Sequence, residues 1–165
     1  MDDFEKSSRR EVKVIAVTGP TATGKTRLAV ELARRFNGEI VSVDSRQVYR
    51  LMDLGTGKDR DEYGEIPCHL IDIADPAAEE YNLYRFLGDA FRAIETISAK
   101  GKTPVLCGGS VLYLDALLRG YRLPGAARDH SLPRGKRDGT QEKSFTPPFR
   151  LNALTLGVLY PRNEV

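Results

Sequence analysis

At 165 residues the chain has the length of one ordinary domain, enough to bury a sizeable core. Its 41% hydrophobic and 29% charged residues fit a soluble globular protein, and a formal net charge of +2 argues against a nucleic-acid partner held by bulk charge, so any basic footprint must be local. No apolar run is long enough to span a membrane, and two cysteines with two histidines make neither a disulfide framework nor a metal-binding Cys/His cluster.

Residues 1–11 read as a polar, frayed tail without an apolar signal core. Val12–Thr18 follows as an apolar strand. It leads into Gly19-Pro20-Thr21-Ala22-Thr23-Gly24-Lys25-Thr26, which fits G-x-x-x-x-G-K-[ST] and opens a helical pattern over Lys25–Phe36. Glycines let such a loop curl so that successive N–H groups point inward, at the positive end of a helix. Lys25 adds a mobile cation for terminal phosphoryl oxygens, and the Thr26 hydroxyl suits Mg²⁺. A di- or triphosphate is the expected ligand, with ATP the default while the loop stands alone. Leu28, Leu32, Ala33 and Phe36 share one helix face, and Asn37-Gly38 ends the helix, since both tolerate a left-handed cap.

Glu39–Val43 is the second predicted strand, with Asp44 at its tip. Ser45–Tyr63 is polar and punctuated by glycine, with short helical turns at best. Cys68–Ile73 is an apolar run and a candidate third strand, broken by Asp75-Pro76. Asn82 is placed to cap the longest helix, in which Leu83, Phe86, Leu87, Ala90, Phe91, Ile94 and Ile97 recur at helical spacing before Gly101. Val105–Cys107 is a buried strand, Gly108-Gly109 a turn and Ser110–Leu118 a helix. Residues 126–148 are rich in charge, glycine and proline and read as a flexible linker, after which Arg150–Tyr160 regains strand character. There is no internal repeat. Strands alternating with helices predict an α/β fold with a mainly parallel sheet covered on both faces. Ligands of such sheets sit at the carboxyl ends of the strands, where Gly19, Asp44 and Gly108-Gly109-Ser110 all fall.

Asp44 is a carboxylate within reach of the phosphate loop, suited to general-base work or to capping the next turn. Asp44-Ser45-Arg46-Gln47-Val48-Tyr49 is longer and more polar than a plain strand-to-helix turn requires. Gln47 carries the donor and acceptor that reading a base edge needs. Ser110 could hold an acceptor group or a phosphate oxygen, or serve as a helix N-cap. Asp72 and Asp75 lie near a strand end, where Asp75-Pro76 is most simply a turn. His69 reads as a packed, hydrogen-bonded histidine and His130 as a solvated one. Cys68 and Cys107 read as buried thiols in a reducing compartment, the cytoplasm.

Five segments in order resemble the tRNA dimethylallyltransferases, the isopentenyl-diphosphate:tRNA transferases. The phosphate loop at 19–26 is similar to theirs. Asp44-Ser45-Arg46-Gln47-Val48-Tyr49 resembles D-S-x-Q-V-Y, and Met52-Asp53-Leu54-Gly55-Thr56-Gly57-Lys58 resembles M-D-I-G-T-A-K. His69-Leu70-Ile71-Asp72 matches H-L-I-D, and Gly108-Gly109-Ser110-Val111-Leu112-Tyr113 resembles G-G-T-x-L-Y. The resemblance runs from about Val12 to Pro124, with a tail over Pro147–Val165.

The resemblance implies a P-loop NTPase-like three-layer fold. It divides the chain into a core at 12–125, the linker at 126–148 in place of an insertion domain, and a final core strand at 149–165. It implies transfer of a dimethylallyl group from its diphosphate to the exocyclic amine of the adenosine 3′ to the anticodon. The partners are then dimethylallyl diphosphate and tRNA, with Mg²⁺ as cofactor. Gly19, Pro20, Thr21, Ala22, Thr23, Gly24, Lys25 and Thr26 would hold the diphosphate, with Thr26 on the metal. Lys25 would stabilise the departing pyrophosphate and Asp44 would take the amine proton, with Ser110 the third catalytic residue, and Asp44, Ser45, Arg46, Gln47 and Ser110 would contact the tRNA and its flipped adenosine. Ser110 stands where the family has threonine, keeping the hydroxyl and losing a methyl contact. The residues also admit a small P-loop kinase, an adenylate prenyltransferase, or a shortened non-catalytic paralogue that only binds diphosphate.

Overall fold

The computed structural model describes residues 10–52, 58, 60–77, 81–123 and 145–157. They form strands β1 (Glu11–Thr18), β2 (Gly38–Ser42), β3 (Cys68–His69), β4 (Thr103–Gly108) and β5 (Arg150–Gly157), with helices α1 (Lys25–Arg35), α2 (Arg60–Tyr63), α3 (Leu83–Ala99) and α4 (Val111–Arg119). The strands join one sheet in the order β3-β2-β4-β1-β5, and every pairing is parallel.

Alternate residues of the central strands supply two cores. Val14, Ala16, Val41, Val43 and Leu106 pack with Phe86, Leu87, Ile94, Leu114 and Leu117 of α3 and α4. Ile15, Val17, Ile40, Val105 and Cys107 pack with Ala29, Val30 and Ala33 of α1 and with Tyr63 of α2. Both sheet faces are therefore covered, which is why these strands read as continuous apolar runs. The expected three-layer α/β architecture follows directly.

Local differences from the sequence reading have local causes. Helix α1 stops at Arg35, with Phe36 as its C-cap and Asn37 left-handed at φ 49°. Gly38 is not a cap: it is a buried residue of β2, where a Cβ would come within 2.5 Å of the Thr103 carbonyl oxygen. The third strand shrinks to Cys68–His69, because Leu70 (φ 66°) and Asp72 (φ 55°) turn left-handed and end the pairing. Helix α3 starts as expected, with the Asn82 side chain accepting from the Arg85 N–H at 3.0 Å. Phe145, at the end of the stretch read as a linker, makes an antiparallel bridge to Leu123 and packs on Phe91 with Phe149. Residues 1–9, 124–144 and 158–165 lie outside the described residues, and with them most of the tail, most of the linker, His130 and the predicted strand end at Tyr160.

Away from the strand tips, Glu39 is a buried carboxylate, 1% exposed. His69 Nε2 lies 2.7 Å from it, and the Lys102 and Lys100 ammonium groups donate at 2.9 and 3.3 Å. Burial would raise its pKa, but the hydrogen bonds from His69, Lys102 and Lys100 outweigh burial and lower it from 4.5 to about 2. This contribution to stability is complete above pH 4.5 and is lost as pH falls through about 2. Urea titrations at stepped pH should show that acid loss, and Glu39→Gln should flatten it while lowering stability at neutral pH by about 1–3 kcal/mol.

Candidate functional site at the strand tips

Three chain reversals meet at the carboxyl ends of β1, β2 and β4. The first is Gly19–Gly24, between β1 and α1. Ala22 (φ 61°) and Gly24 (φ 82°) are left-handed, and Gly24 is the N-cap of α1, so backbone rather than a side chain opens the helix. Thr23 Oγ1 donates to the Pro20 carbonyl at 2.8 Å. The Lys25 ammonium donates to the same carbonyl, which holds the cation across the loop. Thr26 is half-buried in the first turn of α1.

The second reversal begins at Asp44. Its Oδ1 accepts from the N–H of Arg46 at 2.8 Å and of Gln47 at 3.4 Å, bracing a turn over 45–48. The turn-capping role foreseen for Asp44 is present, and it orients the carboxylate. Gln47 Oε1 accepts from the Ser42 hydroxyl at 2.8 Å, so the side chain foreseen as a base reader is also braced against β2. Arg46 is exposed and Ser45 is half-buried.

The third reversal is Gly108-Gly109-Ser110, between β4 and α4. Gly108 is buried against the second reversal: a Cβ there would lie 2.0 Å from the Val43 carbonyl oxygen. A Cβ on Gly109 would lie 3.4 Å from the Gly19 oxygen, so this turn touches the phosphate loop as well. Ser110 occupies the N-cap position of α4, but its hydroxyl makes no capping bond to the helix. It accepts from the Ser45 N–H at 3.0 Å and lies 3.5 Å from the Ser45 hydroxyl. The three candidate segments are thus tied together by backbone contact. Gly108→Ala is expected to lower stability by about 1–3 kcal/mol and to weaken diphosphate affinity with it, checked by chemical denaturation and calorimetry.

Other foreseen residues fall elsewhere. Asp72 is taken up in ion pairs with Lys58 and Arg60, and Asp75 caps its own turn through the Ala77 N–H at 2.8 Å. His69 sits beside Glu39 on β3, packed and hydrogen-bonded as expected. Cys68 and Cys107 are free thiols behind the loop. Burial, then the neighbouring Cys107, raises Cys68 to about 12, and burial, against Lys25, raises Cys107 to about 11. Both are neutral thiols and poor nucleophiles.

Tyr63 was not singled out by its sequence. Burial first, then Cys68 and Cys107, raises its pKa, with a hydrogen bond to Thr26 acting the other way. The polar run around it hid its burial, since nothing in Arg60–Tyr63 marks a tyrosine that packs beneath α1 with Ala29, Val30 and Ala33.

Among the described residues no group of three or more His, Cys, Asp or Glu could hold a metal ion, and no helix is long and apolar enough to cross a membrane. A magnesium ion does not need such a cluster. It keeps waters and substrate phosphate oxygens as ligands and takes only one or two from protein. The Thr26 hydroxyl at the head of α1 fits that need.

The IPP transferase family model matches residues 47–146, and an isopentenyl transferase model matches residues 12–66. A tRNA dimethylallyltransferase 1 from Hahella chejuensis is 54% identical over 140 residues, covering 85% of this chain and 44% of its own length. Another from Porphyromonas gingivalis is 50% identical over 156 residues, covering 92% of this chain and 50% of its own. The crystal structure of a tRNA isopentenylpyrophosphate transferase from Staphylococcus epidermidis superposes with a TM-score of 0.62 at 44% identity, over 65% of this chain and 35% of that one. The chain thus spans about half the length of the curated relatives it matches.

Proposed function

The chain belongs to the IPP transferase family, and from that premise we propose that it carries a dimethylallyl group from dimethylallyl diphosphate to the exocyclic amine of the adenosine 3′ to the anticodon of tRNA. The Asp44 carboxylate accepts a proton from that amine as the nitrogen lone pair forms a bond to the first carbon of the prenyl group. The carbon–oxygen bond to the diphosphate breaks, and its electron pair leaves with pyrophosphate. The N–H groups of residues 19–26 and the Lys25 ammonium receive the charge that develops there. Ser45, Arg46, Gln47 and Ser110 hold the adenosine. Thr26, in the first turn of α1, would hold Mg²⁺, which when bound neutralises charge on the diphosphate. The reaction takes place where tRNA is, in the cytoplasm.

One observation carries this reading: the Ser110 hydroxyl bonds the Ser45 N–H at 3.0 Å while its neighbour Gly109 packs against Gly19. That contact sets the base-bearing turn beside the phosphate loop, as an in-line transfer between two bound groups requires. Calorimetry with magnesium should give tighter binding of dimethylallyl diphosphate than of ATP. Radiolabelled transfer should then favour tRNA over AMP. Tighter ATP binding would replace this reading with a kinase, and transfer to AMP alone would make the chain an adenylate prenyltransferase.

A further inference from the structure

Two segments of the chain contribute nothing to the chemistry above: the one ending at Lys58, and the turn that carries Asp72. Their side chains meet. Lys58 is almost fully buried, with a side chain 2% exposed, and its ammonium lies 2.7 Å from Asp72 Oδ1. The same ammonium donates to the Tyr49 carbonyl. Asp72 Oδ2 takes the Arg60 guanidinium, and the Asp72 carbonyl accepts from Arg50 Nε at 3.0 Å.

Backbone bonds run alongside. The Asp72 N–H donates to the Gln47 carbonyl at 3.0 Å, and Ile73 and Ala74 both donate to Val48, at 2.8 and 2.9 Å. Arg50 N–H returns a bond to Ala74 at 2.9 Å. The segment 47–50 is thus zipped onto 72–74, outside any regular strand pair beyond the Tyr49–Ala74 bridge. Lys58 crosses both sides of that zipper. Its burial keeps it away from any phosphate, and a buried ammonium is costly unless it is paired with a charge, which Asp72 supplies at 2.7 Å. Asp72 is also left-handed, a conformation that aspartate tolerates better than most residues.

Resting on the proposed acceptor role of residues 44–47, we infer that Lys58 and Asp72 form a positioning latch that fixes the acceptor turn from its far end. Ser110 holds the near end through Ser45; the latch holds Gln47–Arg50. Neither residue touches substrate. The latch sets where Asp44 and Gln47 stand, and the phosphate loop does not depend on it.

Amide hydrogen exchange on the full chain tests this. In Lys58→Met, and in Asp72→Asn, which keeps the left-handed preference, exchange at residues 47–50 and 72–74 should quicken by at least about 30-fold. Residues 15–17 and 105–107 should change by less than about twofold, and magnesium–pyrophosphate affinity should hold within the same margin. Combining the two changes should cost less than the sum of the two, because both break the Lys58–Asp72 pair that they share. Binding of a synthetic anticodon-arm RNA hairpin, followed by fluorescence anisotropy, should weaken by about 10-fold in both variants while pyrophosphate binding holds. Equal quickening in turn and sheet, unchanged exchange at 47–50, or a matching fall in pyrophosphate affinity would each overturn the latch. If the unaltered chain ignores the hairpin, the tRNA reading falls, and the exchange data still decide the latch.

Discussion

Asp44→Asn should lower prenyl transfer by about 10²–10⁴-fold while leaving pyrophosphate affinity within about twofold, as expected when a general base is removed without disturbing the rest of its site. Asparagine is the informative substitution. Its amide oxygen can still accept from the Arg46 and Gln47 N–H groups, so the turn over 45–48 keeps its brace. Alanine would remove proton acceptor and brace together and confuse the two. Transfer measured under saturating diphosphate, beside calorimetry with pyrophosphate, separates the effects. Asparagine at full activity would mean the proton leaves by another route and that Asp44 serves only the turn.

Lys25→Met should weaken magnesium–pyrophosphate binding by about 100-fold, since one charge-assisted contact to a polyanion is lost at the head of a helix. The loop itself should persist. Its curvature rests on the left-handed Ala22 and Gly24 and on the Thr23 bond to Pro20, none of which needs the lysine charge. The Pro20 carbonyl that accepts from Lys25 is exposed and can turn to water. Calorimetry checks the affinity and thermal melting checks the fold. A melting temperature that falls with the affinity would show that the lysine supports the loop as well as its ligand.

The layered fold was legible because its central strands are buried on both faces. Val12–Val17 and Val105–Cys107 read as apolar runs for that reason, and α3 announced itself by regular spacing from Leu83 to Ile97. The curled loop at 19–24 was legible because its backbone geometry depends on a few residue types at fixed spacing. What escaped depends on distant neighbours. Gly38 looked like a helix stop, yet its glycine is demanded by the Thr103 carbonyl on another strand. The run from Cys68 to Ile73 looked like a strand, yet Leu70 is forced left-handed, against its own preference, where the chain folds back along 47–50. Phe145 is an aromatic in a polar stretch, and Leu123, Tyr84 and Phe91, all distant in sequence, give it a place.

The candidate site divides in the same way. Asp44 and Ser110 could be marked as candidates from their positions after apolar runs, but not the bond from Ser45 that makes Ser110 a tie between turns instead of a helix cap. Lys58 could be read as part of a segment without a task. Its task appears only when Asp72, in the turn after β3, comes beside it to neutralise it.

The position of β1 in the sheet also bears on how the chain comes to be folded. It pairs with β5 along its full length, from Glu11 opposite Arg150 to Thr18 opposite Gly157, so the earliest strand is sealed by the latest of the described ones. Bringing such remote segments together costs loop entropy before any contact repays it, which slows folding. While the chain is being synthesised, that side of β1 has no strand beside it, an open template for pairing with a neighbouring nascent chain. The loop at 19–24 starts where β1 ends, so any ligand that binds the folded loop would favour completion of the sheet over the wrong partner.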